Sequence, residues 1–266
     1  MSARIIDTHC HIQTSQYDAD RDEVIKRAQH TGTGIVIVGC DYMSSVAAIK
    51  IAENIGSGAW ASVGLQPVDS RKEFDCSGLV QLGMSSSKVV AVGETGLDWH
   101  FLAGEDDIQQ EKGRQLKLFT DNISLAKELG KPLIIHSRDA HKDIVEILRQ
   151  SYGQWNEGDQ ERGVLHCFTG TLDEARQYLK LGFLISFTGI ITFAQQYDEV
   201  VREVTLEKLL IETDAPFLAP IPFRGKRNEP AYVEYVARRI AEIKECVIEK
   251  VEKQTTNNAK RLFQLS

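Results

Sequence analysis

The feature that most constrains this chain is a repeated alternation of short apolar runs with longer amphipathic segments. Eight runs rich in Val, Ile and Leu recur over the 266 residues: Arg4–Thr8, Gly34–Cys40, Ala59–Leu65, Lys88–Glu94, Pro132–His136, Gly163–Cys167, Gly182–Phe187 and Leu209–Thr213. Most are continuously apolar, as strands covered on both faces are. Between them lie segments of helical spacing: Asp22–Gln29, Met43–Asn54, Phe74–Met84, Asp107–Leu129, Ala140–Gln150, Leu172–Leu181 and Phe193–Val204. A helical tail runs from Pro230 to about Leu262, with Asn228 as its cap. Gly130 before Lys131-Pro132 stops the fourth helix, and the polar segment Ser151–Arg162 reads as a surface loop. Eight strand–helix units predict an α/β chain folded as a single (β/α)8 TIM-like barrel, one domain over residues 1–266. The alternative is an open doubly wound sheet; no G-x-G-x-x-G follows the first run, which counts against its dinucleotide-binding form.

Composition narrows the setting. The chain is 42% apolar and 26% charged, as soluble proteins are, and no run approaches the ~18 apolar residues of a membrane span. No basic stretch leads into an apolar signal core. Five cysteines without a C-x-x-C pair suit reduced thiols in a cytoplasmic protein. The net charge of -7 cannot gather nucleic acid by bulk attraction, so any phosphate substrate needs local basic groups or bound cations.

A barrel of this kind carries its chemistry at the C-terminal ends of its strands. His9 and His11 close the first run, and residues i and i+2 of a strand point to one side. Glu94 closes the fourth run, His136 the fifth, His166 the sixth, and Asp214 follows the eighth. Four of the seven histidines and two carboxylates thus fall at one end of the predicted barrel. All six are metal-ligand types. A catalytic zinc takes about three protein ligands, so six fit two divalent ions, with Mg²⁺, Mn²⁺ and Zn²⁺ all open and no cysteine in the set.

These residues resemble the TatD-type metal-dependent deoxyribonucleases of the amidohydrolase superfamily. The resemblance rests on Asp7-Thr8-His9-Cys10-His11, Val92-Gly93-Glu94-Thr95-Gly96-Leu97-Asp98, Ile135-His136-Ser137-Arg138, His166-Cys167-Phe168-Thr169-Gly170, Ile211-Glu212-Thr213-Asp214-Ala215-Pro216-Phe217-Leu218, Arg227-Asn228-Glu229-Pro230 and Asn257-Asn258-Ala259-Lys260-Arg261-Leu262-Phe263. They occur in order over nearly the whole chain. The resemblance implies one ion held by His9, His11 and Asp214, a second by His136 and His166, and Glu94 between them, where other superfamily members use a carbamylated lysine. It implies phosphodiester hydrolysis, described in the family as DNase activity and often as 3′-to-5′ exonuclease. Some relatives are called D-aminoacyl-tRNA deacylases. One departure stands out: the family's Gly-x-His-Pro-His is here Gly64-Leu65-Gln66-Pro67-Val68, which puts substrate identity rather than the metal site in question. Trp99-His100 stands where the family often has Tyr.

In this reading Asp214 orients the attacking water and accepts its proton as general base. Arg138 is a candidate phosphate clamp, Arg224, Lys226 and Arg227 a basic cluster at the site's mouth, and Gln66 a hydrogen-bonding substrate contact. An ion pair between Arg227 and Glu229 is the alternative for that arginine. Cys10 and Cys167 read as packed thiols, Asp7 as a support for the ligands, Asp98 as a loop-structuring residue, and His100 as an exposed loop histidine. The expected partner is DNA or another phosphodiester, with no membrane and no obligate protein partner. The rival functions are hydrolysis of a carbon ester or amide, such as a D-aminoacyl-tRNA, and non-catalytic metal binding.

Overall fold

Each apolar run forms a strand because its branched side chains meet packed neighbours on both faces. The computed structural model describes residues 3–68, 76–102 and 107–265. Its strands are β1 (Ile5–Cys10), β2 (Thr33–Val38), β3 (Ala59–Val63), β4 (Val89–Asp98), β5 (Leu133–Arg138), β6 (Gly163–Leu165), β7 (Phe183–Phe187) and β8 (Leu209–Ile211). They pair in chain order as one sheet, with every strand pair between β1 and β8 parallel. The helices among the described residues are α1 (Arg21–His30), α2 (Tyr42–Ile55), α3 (Cys76–Met84), α4 (Ile108–Leu129), α5 (His141–Tyr152), α6 (Leu172–Lys180), α7 (Asp198–Glu203), α8 (Val233–Ile243) and α9 (Ile248–Phe263). This is the (β/α)8 barrel that the alternation predicts. None of these helices is long and apolar enough to cross a membrane.

Among the described residues two apolar clusters divide the core. One takes a residue from every strand: Ile6, Val36, Trp60, Val90, Ile134, Val164, Leu184 and Leu210. That layer fills the barrel lumen, and Ala259, Leu262 and Phe263 of α9 close its lower end. The other cluster joins outward residues such as Ile5, Ile35, Ile135 and Ile185 to the helices. Local signals set the helix ends. Asp41 with Ser44 and Thr171 with Glu174 form capping boxes for α2 and α6, Asp107 caps α4, and Gly130 ends it in the left-handed conformation.

Three expectations need correction. β4 does not stop at Glu94 but runs to Asp98, its register against β5 shifting between Val92 and Thr95. The tail is two helices, broken at 244–247. Asn228 does not cap it: its side-chain Nδ2 donates to the carbonyls of Thr213 and Phe217 and so fastens the loop after β8. The segment read as a helix from Phe193 starts with a 3-10 turn, Gln195–Tyr197, before α7. Residues 74 and 75 of the third expected helix lie outside the described residues.

The barrel closes beyond the end of β8, where a parallel bridge joins Cys10 and Ala215. The Asp214 amide donates to the His9 carbonyl at 2.9 Å, and the His11 amide to the Ala215 carbonyl at 2.7 Å. The seam that shuts the barrel therefore draws Asp214 onto His9 and His11.

Candidate metal centre

The irregularities of the strands aim the polar groups. In β1 the register against β2 shifts between Asp7 and Cys10. Strict alternation would put Ile6 and Cys10 on one side; instead Ile6 lies in the lumen and Cys10 in the outer cluster. His9 and His11 are thereby freed to face the lumen. At Gly96 in β4 a side chain is excluded, since an added Cβ would fall 2.0 Å from the His136 carbonyl oxygen. This close approach seats β4 against β5 and brings Glu94 to His136. Asp214 adopts a left-handed φ of 55°, which an Asp tolerates better than most residues. Asp7, fully buried, accepts hydrogen bonds from the Thr213 amide at 2.8 Å, the Thr213 hydroxyl at 2.6 Å and the His9 amide at 3.3 Å. It ties the two strand ends that present His9 and Asp214.

All six expected ligand residues come together. Glu94 Oε1 lies 2.9 Å from His136 Nδ1 and 3.0 Å from His166 Nε2. Its Oε2 lies 3.6 Å from His9 Nε2 and 3.7 Å from His11 Nε2. Asp214 Oδ1 stands 3.5 Å from His11 Nε2 and 3.8 Å from His9 Nε2. Among the described residues, three overlapping groups have donor atoms close enough to hold a cation: His9, His11 and Glu94; His9, His166 and Asp214; and Glu94, His136 and His166.

The hydrogen bonds behind these rings decide what they can do. His11 Nδ1 lies 2.9 Å from the Val38 carbonyl, which only accepts, so its proton is there and Nε2 presents a lone pair. His136 Nε2 faces Asp98 Oδ2 at 2.9 Å, and His166 Nδ1 faces Glu212 Oε1 at 3.1 Å. Each is thereby directed to offer its inward nitrogen. The result is acceptors facing acceptors: His9 and His11 approach through Nε2 atoms 3.0 Å apart, and the two other histidines point lone pairs at a carboxylate. Such a cluster holds together only with positive charge inside it, from protons or from cations. The titrations agree. Burial opposes charge on His136, but Asp98 and Glu94 overcome it and lift its pKa to about 8. His11 and His166 are pushed well above the ordinary range against the same burial, chiefly by Cys40 and Asp214 and by Glu94 and Glu212 respectively. Burial raises Glu94 and Asp214, yet the surrounding histidines hold both carboxyls below their ordinary values. Of these four histidines His9 is the one lowered, by burial and by His166, and its Nδ1 is buried without a partner. Four imidazoles and two ionised carboxylates converging on one space are a donor set suited to divalent metal.

Three supporting residues escaped the sequence reading. Glu212, fully buried, fixes His166 and accepts the Cys167 amide at 2.6 Å. Asp98 does structure its loop, accepting the Phe101 amide at 3.1 Å, but its other oxygen orients His136. Cys40 borders the cluster, its Sγ 3.6 Å from His11 Nδ1 and 3.9 Å from Glu94 Oε2, although no cysteine was expected there. The available signal was position: each ends, or nearly ends, an apolar run.

The expected substrate contacts divide. Arg138 is exposed at the end of β5, makes no side-chain hydrogen bond among the described residues, and helps lower Asp98. Arg224 is exposed and lies 3.7 Å above the Phe193 ring, and Lys226 is exposed. Arg227 does not join them. It is bonded to the Gln16 carbonyl and to Asp20, both at 2.6 Å, and covers the Tyr17 ring. Nor does it pair with Glu229, which takes Arg27 instead at 2.7 Å. Gln66 accepts the Val68 amide at 2.8 Å and shapes its own turn. His100 is exposed beside Asp139. Cys10 is buried, with Sγ 3.5 Å from the Val36 carbonyl; burial pushes the Cys167 thiol up to about 12.

The chain matches a family model described as TatD related DNase over residues 6–264. It is 44% identical to the uncharacterized metal-dependent hydrolase YabD of Bacillus subtilis, over 98% of this chain and all of that one. It is 32% identical to the 3′-5′ ssDNA/RNA exonuclease TatD of Edwardsiella piscicida, over 98% and 100%. Among solved structures it superimposes on the TatD homolog YjjV of Escherichia coli with a TM-score of 0.88 and 30% identity, both chains covered in full.

Proposed function

This chain belongs to the TatD related DNase family, and on that premise we propose that it is a two-metal phosphodiesterase that removes nucleotides from the 3′ end of DNA. A metal-dependent hydrolase is the coarser statement; the two ions and the nucleic-acid substrate are the finer one. A single observation carries the two-ion reading. Glu94 turns one oxygen to His136 and His166 and the other to His9 and His11, as a carboxylate shared between two sites does. His9, His11 and Asp214 would hold one divalent cation and His136 and His166 the other. Bound there, the pair supplies Lewis acidity and neutralises phosphate charge.

The protein's own groups do the rest. Asp214 is ionised because the histidines around it outweigh its burial, so it stands ready to accept a proton from the attacking water. Its left-handed backbone and its bond to the His9 carbonyl fix the direction of that carboxylate. Asp98 and Glu212 keep the His136 and His166 rings in register. Arg138, Arg224 and Lys226 lie exposed and contribute positive charge to a substrate backbone, which an acidic chain otherwise lacks. Arg227 is left out of this group, being spent on Asp20 and Gln16.

The test is hydrolysis by metal-free protein re-supplied with Mg²⁺, Mn²⁺ or Zn²⁺. Substrates are end-labelled single- and double-stranded DNA beside a D-aminoacyl ester, with His136→Ala as the control. A metal-dependent ladder from the 3′ end, absent in His136→Ala, is the expected result. Asp214→Asn should abolish cleavage, and full activity in that variant would remove Asp214 from the chemistry. Turnover of the ester with DNA left intact would replace the nuclease reading by carbon-ester hydrolysis, with Gln66 and Val68 as the first positions to exchange.

A further inference from the structure

Phe217 is a large apolar ring that the fold does not bury. It is 54% exposed, and it sits on a turn that starts at Asp214, its amide donating to the Asp214 carbonyl at 2.8 Å. The ends of such a turn lie within about 7 Å of each other. The turn is held firmly. Buried Asn228 donates from its side chain to the Phe217 carbonyl at 2.7 Å and from its amide to the Pro216 carbonyl at 3.0 Å. The backbone that carries this exposed aromatic ring is thus held three residues from the proposed base. Single exposed apolar residues are ordinary, and it is the place of this one, on the turn that begins at Asp214, that sets it apart.

The surface beside it suits an extended anionic chain. The loops after β7 and β8 form one platform: the Ile221 amide donates to Thr192 Oγ1 at 3.0 Å, and the Leu218 carbonyl lies where any Cβ at Gly189 would fall. On that platform the Arg224 guanidinium stacks on Phe193 and makes no ion pair among the described residues. Stacking of this kind leaves the in-plane N–H edge free for a phosphate. A hollow of 740 Å³, lined by Thr192, Phe193, Gln195, Ile221 and Tyr235, continues from the Phe193 side.

We infer that Phe217 stacks on a nucleobase next to the scissile phosphate, while Arg224, carried on Phe193, takes a neighbouring backbone phosphate. The substrate is then a single-stranded nucleic-acid end laid over the β7–β8 platform, since bases inside a duplex have no free face to offer. This inference rests on the nuclease reading and adds the specificity element to it. Every base has a π-face, so the contact selects single strands rather than a sequence.

The test is steady-state kinetics of wild type, Phe217→Ala, Phe217→Trp and Arg224→Ala. Each is run on a single-stranded oligonucleotide and on the same oligonucleotide with abasic 3′-terminal nucleotides. Phe217→Ala should raise KM on the normal strand about tenfold with kcat little changed. Phe217→Trp should restore KM. On the abasic strand wild type should lose the same factor, so that the two proteins converge, while Arg224→Ala should weaken binding of both strands. Unchanged KM in Phe217→Ala on a normal strand that wild type cleaves would overturn this inference and leave the nuclease reading standing. Equal loss on both strands without rescue by Trp would reduce Phe217 to a structural residue. Failure of wild type to cleave any nucleic acid would remove both readings together.

Discussion

Replacing Asp98 by Asn tests the reasoning about ring orientation most directly. Asp98 Oδ1 accepts the Phe101 amide at 3.1 Å and Oδ2 faces His136 Nε2 at 2.9 Å. Asn has the same shape but only one acceptor. With its oxygen on the Phe101 amide, its NH₂ group meets His136 Nε2 and drives the ring proton to Nδ1, the atom that faces Glu94. With the amide reversed, the Phe101 N–H is left opposed by a donor. Loss of an orienting partner behind a ligating histidine costs about 10–100-fold in metal affinity, or about 1.4–2.7 kcal/mol. Protons modulate this loss. The imidazole must be neutral to ligate, and wild-type His136 titrates at about 8, so at pH 7 protons outcompete the neutral form about ten to one. Wild-type affinity should therefore rise with pH through about 8 and go on rising above it, because His166, which would share that ion, is pushed up as well. The variant lacks the carboxylate that lifts His136, so its titration falls and that competition lessens. Its deficit should be full at pH 9 and smaller at pH 7. The assay is competition between metal-free protein and a fluorescent chelator at both pH values, with circular dichroism to verify the fold. Undiminished affinity at pH 9, or a larger deficit at pH 7 than at pH 9, would refute the tautomer argument.

Two further outcomes are open to measurement. Asn228→Ala leaves the Thr213 carbonyl and the Glu229 amide without their partner in buried surroundings, and the Phe217 carbonyl without its partner in partly buried ones. At about 1–3 kcal/mol for each unmet buried group, partly relieved by relaxation, the loss should be about 3 kcal/mol. With about 2.1 cal/mol/K of unfolding entropy per residue, that lowers Tm by about 5 °C in a thermal scan. Lys226→Ala should reduce the slope of log affinity against log salt for DNA by about one, whereas Arg227→Ala should leave that slope unchanged and lower Tm instead. A changed slope in Arg227→Ala would return that arginine to the binding surface.

What the sequence by itself determined follows from periodicity and from chemical type. Continuous apolar runs spaced by amphipathic segments left a barrel with helices outside or an open doubly wound sheet, and the count of eight favoured the barrel, in which strand order follows the chain. The fold then supplied a rule about strand ends, and the rule selected His9, His11, Glu94, His136, His166 and Asp214 from among all the polar residues. Tertiary structure decided what depends on contacts between distant segments. The shift in β1 that turns His9 and His11 inward, the extension of β4 to Asp98, and the anchoring of Arg227 on Asp20 rather than at the mouth all require a partner strand or loop. So do the roles of Glu212 and Cys40, which lie 46 and 29 residues from the histidines they touch. A side chain's type is local and can be read from one position. Its protonation, its orientation and its choice of partner are set by whatever the closed barrel brings within about 4 Å of it, and no spacing along the chain encodes that distance.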